Sequence, residues 1–231
     1  MLREFLSIFR SEDPLSAMGE NFTRMLALTS DMTRVAGGIY FAGAASGEER
    51  DRIYKEDVEV NKLERTIRKQ VVAHLSIRRN TSDLPYCLFL VSLVKDVERI
   101  GDYAKNLTEV MDFRPGPLPD DEIIGELQGI RRRVEERFRA TPEVVGGSNR
   151  ERASALIQDG RTVAKECEKL IARIAGSDYD ARTAAATVLG TRYYKRIGGH
   201  LLNVLSSVVM PLHKVDYFDE DEITRRQAQQ P

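Results

Sequence analysis

The sequence predicts an all-α protein made of two pseudo-repeated antiparallel three-helix bundles. Apolar residues recur with helical spacing through nearly all of the 231 residues, and one proline-rich segment divides the chain near its middle. A helix motif also returns in the second half: Arg-Ile-Gly stands at 99–101 and again at 196–198. No alternating apolar run bounded by turn residues indicates a strand. These observations together favour two related helical units.

Caps and helix breakers set the helix boundaries. In the first half, Ser46 with Glu49 forms a capping box for the second helix. Ser82 or Asp83 is expected to cap the third helix, with Pro85 in its first turn. The six predicted helices cover 16–43, 47–78, 84–112, 121–140, 149–175 and 178–210.

In the second half, Ser148 with Glu151 predicts another capping box, which would open the fifth helix. The pair Gly176 and Ser177 is expected to end the fifth helix and to cap the sixth. Because long helices joined by short loops pack antiparallel, each half is predicted to be a three-helix bundle.

The proline-rich segment 115–120, PGPLPD, cannot be helical and is the predicted linker. We therefore expect a first bundle within 1–114, a second bundle over 121–218 and a polar tail over 219–231. The first unit includes a short N-terminal amphipathic segment, whose apolar face is expected to dock onto the protein body, with a contact to a partner protein or a membrane surface as the alternative. That face consists of Leu2, Phe5, Leu6 and Phe9.

The composition excludes several classes of protein. A net charge of −1 gives no electrostatic case for binding nucleic acid. No run reaches the roughly 18 apolar residues of a membrane span, and the N-terminus lacks the pattern of a signal peptide. Cys87 and Cys167 fall inside predicted helices, which indicates buried thiols in a reducing compartment. No phosphate loop, nucleophile elbow or catalytic triad is visible, so no catalytic site is predicted.

Two helices carry oxygen-bearing side chains four residues apart. Glu98 and Asp102 share one stripe of the third helix, and Asp57 and Asn61 lie near the apolar line of the second. Facing carboxylates repel unless a cation or a proton intervenes, and oxygen ligands suit hard cations better than zinc. A solvated helix face is the alternative. Gly101 interrupts the third helix, which indicates close approach of a neighbouring helix.

The segment 97–106, VERIGDYAKN, resembles the Leu-Glu-Arg-Ile-Gly-Asp-His-Ala-x-Asn helix of the PhoU family of bacterial phosphate-uptake regulators. Tyr103 stands where His is common in that family. The segment 57–64 resembles the family's Asp-x-x-Val-Asp/Asn-x-Leu-Glu stretch, and 15–19 resembles its first-helix opening. The resemblance covers essentially the whole chain as two repeats, and it implies an all-helical fold of two three-helix bundles.

The resemblance also implies a metal site for magnesium, manganese or iron in the first repeat. Its ligands would be Asp57, Asn61, Glu98 and Asp102. The motif residues beside them are Arg99, Gly101 and Asn106.

The second repeat departs from the family pattern. Lys195 stands where an acidic residue matching Glu98 is expected, and Gly199 stands where Asp is expected. Arg161 and Lys165 are expected to align with the acidic and amide pair of the second helix. Because these positions carry cations or glycine, metal is expected in the first repeat only.

The resemblance implies a non-enzymatic cytoplasmic adaptor, peripheral to the inner membrane through its partners. Family members restrain phosphate uptake through an ABC-type transporter or accompany other phosphate transporters, and a sensor histidine kinase is a second partner class. A homodimer is compatible with this reading, and nucleic acid is not an expected partner. The alternatives are a metal-dependent helical-bundle enzyme and a metal-storing or structural bundle.

Overall fold

A computed structural model describes residues 14–76, 80–114 and 116–215 of the chain. In these ranges it consists of six α-helices and short 3₁₀ turns, without a strand, so the predicted all-α class is confirmed. The helices are α1 (Pro14–Ala42), α2 (Gly47–Leu75), α3 (Leu84–Glu109), α4 (Glu122–Gly147), α5 (Arg150–Ala175) and α6 (Ala181–Val209). The predicted docking face, Leu2, Phe5, Leu6 and Phe9, lies outside the described residues, as does the whole of the predicted polar tail.

The helices form the two predicted three-helix bundles. α1, α2 and α3 pack on one another, and so do α4, α5 and α6. The bundles also pack together, chiefly through α3 against α6 and less extensively through α1 against α4. One apolar core runs through both bundles. The division into units at 115–120 therefore stays a prediction about domains, although the helices themselves divide three and three.

The internal repeat is visible in the pattern of burial along the helices. Gly101 and Ile100 of α3 are buried, and so are Gly198 and Ile197 at the matching positions of α6. The buried residues of α1 and α4 also run in one register, in which Arg137 stands where α1 has Met32. Burial on equivalent faces thus relates the two bundles helix by helix.

The register of α2 and α5 differs from the expected alignment by one turn. Buried Cys167 of α5 takes the place of buried Ile67 in α2, and the other buried positions follow the same shift. Ile157, not Arg161, therefore matches Asp57. The second bundle thus replaces a buried carboxylate of the first bundle with an apolar side chain.

Three of the predicted helix boundaries lie where the sequence placed them, and two of these are made by local hydrogen bonds. The capping box at the start of α2 is confirmed, because Ser46 accepts from the Glu49 amide and Glu49 accepts from the Ser46 amide. Gly176 ends α5 as predicted. At α3, Asp83 is the N-cap residue but its side chain makes no capping bond, since the carboxylate pairs with His74.

Two predicted caps in the second half are wrong. α4 continues through Pro142 to Gly147, and Ser148 ends it in the left-handed conformation at φ 48°. Asn149, rather than Ser148, caps α5. α6 is capped by Asp180, because the Ser177 hydroxyl instead donates to the Ile174 carbonyl at 2.7 Å.

The described part of the linker is tied to the end of α1. The Gly116 amide donates to the Gly43 carbonyl at 3.0 Å, and Arg114 donates to the carbonyls of Gly116 and Pro117. Gly43 adopts φ +69°, and a Cβ there would collide with the Gly116 backbone. The connection between the bundles is therefore held against the first bundle. None of the described helices combines the length and the apolar character that crossing a membrane requires.

Candidate functional site

The seam between α2 and α3 brings together two of the four predicted oxygen ligands around a lysine. Asp57 is only 8% exposed, and its Oδ2 lies 2.9 Å from Nζ of Lys105. Asp102 reaches the same ammonium group from one turn earlier in α3, with its Oδ1 at 3.6 Å. The periodicity argument therefore placed these two carboxylates correctly near one seam. Lys105 was not predicted as a site residue.

The other predicted ligands have different surroundings. Glu98 pairs along its own helix with Lys95, Oε2 to Nζ at 2.9 Å, and more distantly with Arg99 at 3.8 Å. Arg99 is exposed and also holds Oδ2 of Asp102 at 3.0 Å. Asn61 is half-buried, one turn beyond the buried carboxylate of α2.

The predicted motif residue Asn106 is half-buried in α3, directly after Lys105.

Burial by itself would lower the pKa of Lys105, and it is the largest single influence on that group. Hydrogen bonds and the charges of Asp57 and Asp102 together outweigh it, so the pKa of Lys105 is raised. The ammonium is therefore fully charged at neutral pH.

The residues of this seam do not fit a metal ion in the arrangement that the structure shows. Among the described residues, no three His, Cys, Asp or Glu side chains converge closely enough to hold a metal. An ammonium already lies between Asp57 and Asp102, and Glu98 faces a second lysine. The metal site in the first repeat accordingly stays a prediction, and metal binding there requires Lys105 to leave its carboxylates.

Gly101 does not mark the close helix approach that the sequence suggested. A Cβ on Gly101 would meet Thr29, Met32 and Val60 at 3.6–3.8 Å, which is ordinary van der Waals contact. That expectation is wrong at this position. Close approach occurs instead at Gly190 of α6, where a Cβ would lie 2.3 Å from the ring and hydroxyl of a buried tyrosine of α1.

The second bundle carries a buried cation instead of a buried carboxylate. Arg137 is 1% exposed, and its Nη2 donates to Oδ2 of Asp159 at 2.5 Å. Arg133 also donates to Asp159 and to Glu166. Within the described part of the chain, Nε and Nη1 of Arg137 have no hydrogen-bond partner. Arg137 was not predicted as a site residue, although it occupies the position in the second repeat that Met32 occupies in the first.

Lys195, which stands at the position of Glu98, pairs with Glu168 on the surface of the second bundle. The two repeats thus carry opposite charges at matching positions. Both repeats neutralise their charged seam residues with side chains of the protein itself.

A polar cluster joins the bundles where α3 meets α6. Asp96 is 7% exposed, and its Oδ1 accepts from His200 Nδ1 and from Asn203 Nδ2, both at 2.7 Å. The His200 ring stacks on Tyr103, with centroids 5.7 Å apart and planes at 20°. Tyr103 and His200 occupy matching positions of the two repeats, so they stack across the pseudo-symmetric interface. The sequence motif included Tyr103, but Asp96 was not predicted as a site residue.

Comparisons with known proteins agree with this fold. A family model described as "PhoU domain" matches residues 22–111. No curated protein matches the chain. Among solved structures, PhoU from Pseudomonas aeruginosa aligns with a TM-score of 0.75 at 18% identity, covering 87% of this chain and 97% of its own. The phosphate transport system regulatory protein PhoU from Streptococcus pneumoniae aligns with a TM-score of 0.72 at 14% identity, covering 85% and 95%.

At these identities the structural likeness shows the fold alone. The two solved structures nevertheless span almost their whole length on this chain, so both bundles take part in the likeness. The family model covers α2 and α3 and most of α1. The resemblance to the PhoU family, stated from the helix motif of α3, is therefore confirmed.

Proposed function

We propose that this PhoU-domain chain regulates a phosphate transport system and has no catalytic activity of its own. The observation that carries the proposal is the match of both bundles to PhoU structures, together with the family match over the first bundle. One of those structures is described as a phosphate transport system regulatory protein. The chain's own motif helix, α3, supplies both the acidic stripe and the main contact between the bundles.

The chemistry of the described side chains supports an adaptor. Burial raises the pKa of the Cys87 thiol to about 11 and that of the Cys167 thiol to about 12, so neither is an activated nucleophile. The carboxylates of the α2–α3 seam are held by lysine and arginine.

For partners, we propose the cytoplasmic side of a membrane phosphate transporter, of ABC type or another type, and a sensor histidine kinase. The protein would be peripheral to the inner membrane and held there by those partners, and a homodimer is compatible with the proposal. Net charge −1 with mixed surface signs supports contacts with proteins more than with anionic lipid or nucleic acid.

Deletion of the gene in its native host tests the proposal. Phosphate uptake at high external phosphate should rise, and the phosphate-starvation response should remain active when phosphate is plentiful. Restoration by the wild-type gene is the control for secondary effects. Unchanged uptake together with an unchanged starvation response would contradict the proposed function. A turnover that depends on Glu98 would instead favour the metal-dependent enzyme considered from sequence.

A further inference from the structure

We propose that Lys105 is the cation of the α2–α3 seam, and that its ammonium takes the position at Asp57 and Asp102 that a divalent metal would need. In this view the native first bundle binds no divalent metal at these carboxylates. Replacing Lys105 with a neutral side chain should create a metal site. The inference concerns this seam only and does not depend on the transporter or kinase that the protein regulates.

The position of Lys105 connects two helices. Its ammonium group belongs to α3 and reaches across the seam to Asp57 of α2, at an N–O distance of 2.9 Å. The same group lies 3.6 Å from Asp102, which stands three residues earlier in α3. The Lys105 side chain is 22% exposed, so the ion pair is largely shielded from solvent. Screening by salt and water is therefore weaker here than on an open helix face.

The charges of the seam already balance without a metal. Asp57 and Asp102 contribute two negative charges, and Lys105 with Arg99 contribute two positive charges within 3.6 Å of those carboxylates. Asn61, the third predicted oxygen ligand nearby, adds no charge. A divalent ion placed among these groups would leave an excess of positive charge next to two fixed cations.

Coordination raises a second obstacle. Hard divalent ions require several oxygen ligands at about 2.0–2.6 Å, arranged around the ion. Asp57 and Asp102 each direct one oxygen to the ammonium of Lys105, and the other oxygen of Asp102 is held by Arg99. The ion would have to displace Lys105 before it gained these ligands. Without the lysine, Oδ2 of Asp57 and Oδ1 of Asp102 become available to it.

The second bundle also holds a cation with a carboxylate, but at different positions. A Cβ added to Gly198 of α6 would lie 3.8 Å from Nη1 of Arg137, as a Cβ added to Gly101 of α3 would lie 3.7 Å from Met32. The guanidinium is held by Asp159. Each bundle thus contains a cation that a carboxylate holds, Lys105 on the motif helix α3 in the first and Arg137 on α4 in the second.

Titration with manganese ion tests the inference. Purified full-length wild type and Lys105→Met are titrated with Mn²⁺ by isothermal calorimetry, and bound Mn²⁺ is counted by electron paramagnetic resonance. We expect no saturable binding to wild type at about 1 mM Mn²⁺ and at least tenfold tighter binding to Lys105→Met. Mn²⁺ should also raise the melting temperature of Lys105→Met and leave that of wild type unchanged.

Two further variants give matched controls. Lys195→Met removes a lysine that pairs with Glu168 in the second bundle, and it should bind Mn²⁺ no better than wild type. In Lys105→Met/Asp57→Asn the gained site should disappear, because one of its two carboxylates is gone. Lys105→Gln serves if the methionine variant does not fold, since it removes the charge and keeps a polar side chain.

Two results would overturn the inference. Saturable Mn²⁺ binding to wild type that Asp57→Asn abolishes would show that metal displaces the ammonium. A folded Lys105→Met or Lys105→Gln that binds Mn²⁺ no better than wild type would show that the seam is an ordinary ion pair. Circular dichroism of each variant establishes that it is folded.

Discussion

The cluster centred on Asp96 lies where the two bundles meet, and its removal should lower the free energy of unfolding by a measurable amount. Asp96 is buried in the α3–α6 interface and accepts hydrogen bonds from His200 and Asn203 at 2.7 Å each. Asp96→Ala deletes the acceptor and leaves both donors at the interface. Asp96→Asn keeps one acceptor oxygen and removes only the charge.

The magnitude follows from the number and exposure of these bonds. A hydrogen bond to a charged group contributes about 1.5–3 kcal/mol, so two of them set an upper limit near 6 kcal/mol. The His200 side chain is 22% exposed, so water can replace part of what is lost. We therefore expect Asp96→Ala to lower the free energy of unfolding by about 3 kcal/mol. Asp96→Asn should lower it by about 1 kcal/mol because its amide oxygen still accepts.

Urea denaturation followed by circular dichroism measures the free energy of unfolding, and hydrogen exchange locates the change. A matched control is Asp83→Ala, which breaks another aspartate–histidine pair, at 2.8 Å from His74, but within the first bundle. Exchange of α6 amides under native conditions should rise in the Asp96 variants and stay unchanged in Asp83→Ala. A loss below about 0.5 kcal/mol in Asp96→Ala, or unchanged exchange in α6, would refute the reasoning.

Three further expectations concern packing and reactivity. Gly190→Ala places a Cβ 2.3 Å from a buried tyrosine and should lower the free energy of unfolding by about 1–3 kcal/mol. Gly101→Ala has room for its Cβ and should raise the free energy of unfolding by up to about 1 kcal/mol. Urea denaturation measures both changes. Arg137→Met introduces the residue type that the first bundle has at the matching position, Met32, and should leave the free energy of unfolding unchanged or higher. A large loss of that free energy would contradict this expectation. Cys87 and Cys167 should resist iodoacetamide at pH 8 in the native protein and react in urea, because their raised pKa values keep both thiols neutral.

Helix existence could be predicted from the sequence because it depends on periodic burial, which the sequence displays. The caps that failed depend on competition between neighbouring hydrogen bonds. Ser177 is a good N-cap by type, but its hydroxyl donates to a carbonyl of α5, and Asp180 caps α6 in its place. α4 passes through Pro142 because Val144 and Val145 beyond it are buried in the core. Tertiary packing of this kind has no signature in local sequence.

In the candidate site, too, part of the arrangement could be predicted from the sequence and part could not. Helical spacing predicted that Asp57 and Asp102 approach one seam, and they do. Spacing could not predict what lies between them, because a lysine three residues after Asp102 can extend toward solvent or across to α2. The orientation of the Lys105 side chain depends on the position of the neighbouring helix. That orientation decides whether the seam presents carboxylates to a metal or encloses an ion pair.

The motif helix α3 connects these features over a short distance. Asp96 and Tyr103 face α6 of the other bundle, while Asp102 and Lys105 belong to the seam with α2. These positions span less than three turns of one continuous helix. One continuous helix thus carries both the ion pair of the α2–α3 seam and the Asp96 cluster of the interface between the bundles.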